Sequence, residues 1–116
     1  MKTENLTLLR ERYPKIFERL AWGVNCGDGW FDLIDTLCGN LDHCAKHGGM
    51  QVVALEIKEK FGGLRFYQDG CNDQQVGMIR MAAAMSWHIC DICGNRGQLT
   101  GEDWVRTRCD KHANTR

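Results

Sequence analysis

The sequence predicts an α+β fold, in which a small helical domain with a β-hairpin is followed by a compact C-terminal module. An apolar pattern at helical spacing begins at Trp30, and an alternating pattern covers residues 52–67. Two pairs of metal-binding side chains lie within residues 90–116. A length of 116 residues fits one domain, which divides into residues 1–89 and the module at residues 90–116.

The N-terminal segment predicts two short helices that are separated at Tyr13. Pro14 biases the residue before it away from helical geometry, so residues 5–12 are expected to form one short turn of helix. Pro14 itself suits the first position of a second helix. The apolar residues of that second helix are Ile16, Phe17 and Leu20.

A longer amphipathic helix is predicted after the glycine-rich segment Cys26-Gly27-Asp28-Gly29-Trp30. Asp28 suits the N-cap of this helix, and Gly48-Gly49 should end it. Its apolar positions are Phe31, Leu33, Ile34, Leu37, Cys38, Leu41 and Cys44.

Residues 52–67 predict a β-hairpin with Gly62-Gly63 as its two-residue turn. Val53, Leu55 and Ile57 alternate with less apolar neighbours, and the alternation resumes after the turn. A helix over residues 52–60 is the alternative. A further helix, capped by Asn72 or Asp73, is expected to run nearly to Cys90; its apolar positions are Val76, Ile79, Ala83, Met85 or Ser86, and Ile89.

The strongest functional pattern is a Cys-x2-Cys pair followed by a Cys-x2-His pair. Two intervening residues let Cys90 and Cys93 reach one cation from a tight turn, and Gly94 permits a positive φ after that turn. Cys109 and His112 complete a Cys3His set, which suffices for a closed tetrahedral site. A catalytic zinc needs an open coordination position, so four protein ligands favour one structural Zn²⁺.

Residues 98–100 and 104–107 flank Gly101-Glu102-Asp103 as the strands of a short hairpin would. A knuckle, a hairpin and a ligand pair in a helical turn together predict a treble-clef or zinc-ribbon-like module. Its apolar cover is expected from Trp87, Ile92, Trp104 and Val105.

Weaker patterns leave two alternatives open. A second metal site could use Cys38, His43, Cys44 and His47, and a nucleophilic dyad could pair Cys26 or Cys71 with His88. Free cysteines commonly behave as small buried apolar residues, which is the interpretation we favour for those outside the zinc module. No catalytic residue is assigned.

Charge and cysteine usage bear on location and partners. The formal net charge is zero, and Arg106, Arg108, Lys111 and Arg116 are balanced by acidic residues of the same module, so nucleic acid is a possible but not a favoured partner. No apolar run approaches the roughly 18 residues of a membrane span or forms a signal peptide. Seven cysteines then suggest metal ligation in a reducing cytoplasm.

The predicted hairpin tip is unusually apolar, because Phe61 and Leu64 bracket its glycines. Something should cover both side chains, either the rest of the protein or a partner. In the second case Lys58, Lys60 and Arg65 would form a charged rim around a protein-binding surface.

Three segments together resemble small uncharacterised proteins of tailed phages and prophages: Cys26–Ile34, Lys58–Tyr67 and the module at residues 90–112. The resemblance covers most of the chain and implies a bacterial cytoplasm and a host protein as partner, including a host defence enzyme. The leading hypothesis is a zinc-stabilised protein-binding module that modulates a host protein. A nucleic-acid-binding accessory protein and a small metal-dependent nuclease are the alternatives, although a nuclease of this kind needs a His–Asn–His set.

Overall fold

Helices and short strands alternate along residues 1–115, the part of the chain that the computed structural model describes. The elements are α1 (Thr3–Arg12), α2 (Pro14–Phe17), β1 (Val24–Asn25), a 3-10 turn (Asp28–Trp30), α3 (Phe31–Lys46), β2 (Val53–Lys60), β3 (Gly63–Asp69), α4 (Asp73–Ser86), β4 (Gln98–Thr100), β5 (Arg106–Arg108) and a second 3-10 turn (Asp110–His112). This order confirms the α+β class. None of the described helices is long and apolar enough to cross a membrane.

The first two helices meet at Tyr13, as the proline predicts. Tyr13 leaves helical geometry at φ −131°, and Pro14 occupies the first turn of α2. The expectation of a single helical turn before Tyr13 is wrong, since α1 has 10 residues. Leu20 lies beyond α2 but is still buried.

Asp28 does not cap α3, contrary to the prediction. The N-cap position of α3 is Trp30, and no side chain caps it. The Asp28 carboxylate instead accepts hydrogen bonds from the Lys2 backbone N–H at 2.8 Å and the Asn5 side-chain amide at 2.9 Å. It therefore anchors the start of α1 to the loop before α3.

Helix α3 buries five of the seven predicted apolar positions, with Phe31 and Cys44 only partly buried, and ends two residues before Gly48, whose φ is +95°. Its buried residues are Leu33, Ile34, Leu37, Cys38 and Leu41. Together with Trp30, Phe17 and residues of the sheet they form the hydrophobic core.

The hairpin forms, but its side-chain alternation and its turn differ from the prediction. A β-bulge between Ala54 and Glu56 leaves Leu55 without a partner in the register, so Ala54 is buried while Leu55 is exposed. Lys60 pairs with Gly63, which makes Phe61 and Gly62 the turn residues. The short strand β1 pairs in parallel with β2, giving the sheet order β1-β2-β3.

Helix α4 begins at the predicted cap. The Asn72 side chain accepts a hydrogen bond from the Gln75 backbone N–H, and the Gln75 side chain accepts one from the Asn72 N–H, which is a capping box. The helix packs against β3 and α3 and buries Ala82 and Ser86. Ile89 lies beyond its end in a β-bridge with Arg96, and Met85 is exposed.

Candidate metal centre

Four side chains meet near the C-terminus, and they are the four that the sequence predicts. Ligand atoms of Cys90, Cys93, Cys109 and His112 all lie within 4.8 Å of one another. The group could hold a metal ion such as zinc. Within residues 1–115 no other group of three or more Cys, His, Asp or Glu side chains is arranged in this way.

The spacing of the donor atoms fits a tetrahedral ion. Two sulfurs bound 2.3 Å from zinc would lie about 3.8 Å apart at the tetrahedral angle. The Cys93 and Cys109 Sγ atoms are 3.7 Å apart. His112 Nδ1 lies 3.2 Å from Cys109 Sγ and 3.8 Å from Cys90 Sγ, so this nitrogen faces the sulfurs. The residues present therefore suit a soft, four-coordinate cation.

The first ligand pair is held by a tight turn. The Gly94 N–H donates to the Cys90 carbonyl at 3.0 Å, and Gly94 adopts φ +81°, as expected of a glycine after a Cys-x2-Cys knuckle. The Cys90 N–H donates to the Asn95 carbonyl at 2.7 Å. Cys90 is fully buried, whereas Cys93 is exposed.

The environment of Cys90 favours its thiolate. Burial acts to raise the pKa of this thiol, but backbone hydrogen bonds involving Cys109, Cys93 and Ile92 outweigh it and lower the pKa to about 6. A thiolate is the form in which cysteine binds metal ions.

The second ligand pair follows the β4–β5 hairpin. Cys109 comes directly after β5, and the His112 N–H donates to the Cys109 carbonyl at 3.0 Å within a 3-10 turn. The hairpin is joined to the knuckle by a hydrogen bond of 3.0 Å from the Asp91 N–H to the Thr107 carbonyl. The two ligand pairs are thus fixed to each other by backbone contacts.

A buried ion pair lies beside the ligands. Arg108 Nε is 2.5 Å from Asp91 Oδ1, and each side chain is 6% exposed. The Arg108 guanidinium also donates to the Thr115 carbonyl. Of the four basic residues considered for nucleic-acid binding, Arg108 therefore contributes no free charge to the surface. Arg116, another of these four residues, lies outside the described residues.

The glycine-rich segment before α3 packs directly on the knuckle. The Gly29 N–H donates to the Asp91 carbonyl at 3.0 Å, and Trp30 Nε1 donates to the Ile89 carbonyl at 2.8 Å. A Cβ added at Gly27 would lie 1.9 Å from the Asp91 carbonyl oxygen, and one at Gly29 would lie 2.1 Å from the Cys90 oxygen. Both positions require glycine because two backbones touch there.

The tip of the β2–β3 hairpin contacts the metal module on another side. The Thr107 hydroxyl donates to the Gly62 carbonyl at 2.7 Å, and the Leu99 side chain lies against Gly62. The Glu59 carboxylate accepts a hydrogen bond from the Gly62 N–H at 2.7 Å and pairs with Arg106 at 3.1 Å.

The two apolar residues of the tip have opposite environments. Leu64 is buried in the core, with 2% of its surface exposed, whereas Phe61 is 67% exposed. Of the two alternatives, cover by the rest of the protein is therefore found for Leu64 and not for Phe61. Around it, Lys60 Nζ lies 5.8 Å from the centre of its ring, Arg65 is exposed, and Lys58 pairs with Glu56 at 2.5 Å.

The apolar cover of the metal module also differs in part from the prediction. The Trp87 ring lies against Gly63, where an added Cβ would be 2.5 Å from it. Trp104 is 51% exposed and stacks with the Arg106 guanidinium, 4.6 Å from the ring centre. Trp104 is thus a surface residue of the module.

The other cysteine and histidine patterns are not assembled into sites. His43 and His47 stack on each other with their ring centres 4.1 Å apart, while Cys38 is fully buried. Burial raises the pKa of the Cys26 thiol to about 12 and raises that of Cys71. An activated cysteine nucleophile needs the opposite shift.

Sequence reasoning found the ligands and missed the residues that hold the module in place. These are Gly27, Gly29, Glu59, Asp91 and Arg108. The signal available for the first two is the Gly-x-Gly spacing, which often marks a close approach of two backbones. No match was found when the chain was compared with protein-family models, with curated proteins and with solved structures.

Proposed function

We propose that the protein is a zinc-stabilised protein-binding module whose contact surface surrounds the tip of the β2–β3 hairpin. The Cys3His group takes one Zn²⁺, and four protein ligands leave no open position for a substrate, so the metal is structural. The knuckle, the β4–β5 hairpin and the 3-10 turn then form a treble-clef-like unit. By resemblance to small phage proteins, the partner is a host protein in a bacterial cytoplasm.

The observation that carries this proposal is the conformation and exposure of Phe61. The turn residues Phe61 and Gly62 have φ angles of +53° and +88°, the positive values of a type I′ turn, which favours Asn-Gly. A non-glycine residue in the left-handed region costs roughly 1–2 kcal/mol. Neither the conformational preference of the turn nor packing in the core accounts for a phenylalanine at this position. A role in contact with a partner does.

Two apolar side chains of the module, beyond the hairpin turn, are exposed as well. Leu99 is 53% exposed and lies against Gly62, and Trp104 is 51% exposed. We call Phe61, Leu99 and Trp104, with Lys60 beside them, the tip surface. Exposed aromatic side chains such as Phe61 and Trp104 are typical of the residues that dominate protein interfaces.

The charges around the tip surface favour a protein over a nucleic acid. Arg106 is paired with Glu59, Arg108 is paired with Asp91 and buried, and the formal net charge of the whole chain is zero. Binding along a phosphate backbone depends on several unpaired cations. Because Arg106 and Arg108 are both paired, neither is free to bind a phosphate.

The test is capture of a partner from bacterial lysate by the immobilised protein, with identification by mass spectrometry and measurement of the affinity of the purified pair. Phe61→Asn removes the ring but suits the left-handed turn. We expect it to weaken the affinity at least tenfold while leaving the free energy of unfolding unchanged or raised by up to about 1 kcal/mol.

Trp22→Asn is the matched control, because Trp22 is 79% exposed and belongs to a different loop. It should leave capture intact. The proposal is contradicted if Phe61→Asn binds the captured partner as tightly as the parent protein. Submicromolar binding of duplex or single-stranded oligonucleotides with a steep salt dependence would instead support the nucleic-acid alternative.

A further inference from the structure

An apolar groove runs between α3 and α4 and reaches Ile89, the residue before the ligand Cys90, but includes no metal ligand and no residue of the tip surface. Its volume is about 560 Å³. Leu33, Leu37 and Ala82 lie along the groove, and its α4 side carries Met81 and Met85, which are 64% and 47% exposed. Large exposed thioether side chains beside an open groove are typical of a surface that packs against another helix.

Gly77, on the same side of the groove, has no structural explanation within the single chain. It lies in the interior of α4, its φ is not in the left-handed region, and an added Cβ would meet nothing within 4 Å. Glycine at such a position lowers helix stability relative to alanine. A missing side chain in this place leaves room for a group from outside the chain.

The two helices are antiparallel, which sets the level of each residue along the groove. Trp30 Nε1 donates to the Ile89 carbonyl at 2.8 Å, so the start of α3 lies beside the end of α4. Cys44 Sγ lies 3.8 Å from Gln74 Oε1, so the end of α3 lies beside the start of α4. Thr36 and Met81 are therefore at about the same level, midway along the groove.

We propose that the groove is the interface of a homodimer, in which α3 and α4 of two copies form an antiparallel four-helix contact. Two-fold symmetry is the commonest arrangement of identical chains. A two-fold axis that crosses the helices at right angles, at the level of Thr36 and Met81, places Gly77 opposite Met85 of the second copy. The open space above Gly77 of each copy then receives the Met85 side chain of the other copy, so the symmetry forms this contact twice.

The α3 side of the groove is self-complementary under the same axis. Asp32 and Asn40 both line the groove and lie one helical turn on either side of Thr36. The axis brings Asp32 of one copy to Asn40 of the other, so an amide donor meets a carboxylate acceptor. Asp32 is the only ionisable residue among those that line the groove. In the dimer the two Asp32 side chains do not face each other.

The dimer is expected to be weak and dependent on concentration. From Gly77 to Met85 the helix rises only about 12 Å. Two such helix pairs bury less than the roughly 1,600 Å² of a standard interface, so a dissociation constant in the micromolar range is expected. The tip surface is on other elements, so tip variants such as Phe61→Asn should dimerise like the parent chain.

Sedimentation velocity from micromolar to near-millimolar protein tests the proposal. The mass of the parent protein should rise from that of one chain toward that of two. Gly77→Leu fills the space that receives Met85 of the second copy and should weaken association at least tenfold. Its melting temperature measured in dilute solution should not fall, because leucine favours helix and nothing lies within 4 Å of the added Cβ.

Met81→Lys places two positive charges at the axis and should also prevent association. Met50→Lys is the control, since Met50 is 50% exposed but does not line the groove, and this variant should dimerise normally. A parent protein that stays monomeric at the highest concentration would overturn the proposal. Dimerisation that is unchanged by both groove substitutions would overturn it as well.

Discussion

Arg108 and Asp91 illustrate how much one side-chain pair contributes to this fold. Both are almost fully buried and each is bonded to the other, within the same turn and strand that present the metal ligands. Removing one partner of a buried pair leaves the other charge without compensation, and this is more costly than the loss of the attraction itself.

Arg108→Ala is therefore expected to lower the free energy of unfolding by about 3–5 kcal/mol. Arg19→Ala is the matched control, because Arg19 also pairs with an aspartate, Asp69, but at 3.4 Å with more than half of both side chains exposed. Its loss should cost less than about 1 kcal/mol. Urea denaturation of the zinc-loaded proteins measures both values, and equal losses would show that burial of the pair is unimportant.

Single residues were predictable where their chemistry is specific. Cysteine and histidine at metal-binding spacing identify Cys90, Cys93, Cys109 and His112 without any knowledge of the fold. Asp28 shows the limit, because an aspartate before a helix can cap that helix or bind another backbone with the same acceptor atoms. Asp28 accepts hydrogen bonds from Lys2 and Asn5 because α1 lies beside it. No local sequence pattern encodes this position of α1.

The elements assemble through glycines that allow two segments of the chain to approach closely. Gly29 brings the loop before α3 against the knuckle, and Gly62 brings the hairpin turn against β5 and Leu99. These contacts leave no room for a side chain. The loop therefore meets the knuckle at the level of the main chain, and the hairpin turn meets the Leu99 side chain.

Gly29→Ala should lower the free energy of unfolding by at least about 2 kcal/mol, because its Cβ would lie 2.1 Å from the Cys90 oxygen, and neither backbone can yield cheaply. Gly77→Ala is the control, with open space around the added Cβ, and should raise stability by roughly 0.5–1 kcal/mol through helix propensity. Thermal and urea unfolding in dilute solution compare the two. A harmless Gly29→Ala would contradict the close backbone contact.

The periodicity of the sequence predicted which segments are helices and strands. It did not predict the position of the hairpin turn or the β-bulge. The stripe of α3 and the capping box of α4 are local patterns, so both helices were predictable. The turn moved from Gly62-Gly63 to Phe61-Gly62 because Gly63 is needed in the strand against Trp87. The bulge at Leu55 shifts the register with β3 and inverts the alternation, which the alternating pattern alone does not indicate.

At the scale of the whole molecule, the metal module is part of the fold and not an appendage. The N-terminal half reaches it through Gly29 and Trp30, and the hairpin reaches it through Glu59 and Gly62. The division into residues 1–89 and 90–116 describes the order of motifs along the chain. It gave no indication of these contacts, because the packing of distant segments leaves no periodic signal in either of them.

Metal affinity is coupled to folding when the ligands come together only in the folded chain. Two ligands here lie on the knuckle and two follow β5, so the ion joins the segments that the loop before α3 and the hairpin both contact. The central claim is that one Zn²⁺ on the four ligands stabilises the whole arrangement.

The most direct test is the zinc content per chain of protein purified from zinc-replete cells, measured for the parent, for Cys93→Ser and for Cys71→Ser. Cys71 is a free, half-buried cysteine outside the group, so its variant is the control. We expect about one zinc per chain in the parent and in Cys71→Ser, and a strongly reduced content in Cys93→Ser. A parent protein without zinc, or a Cys93→Ser variant that retains a full equivalent, would contradict the account.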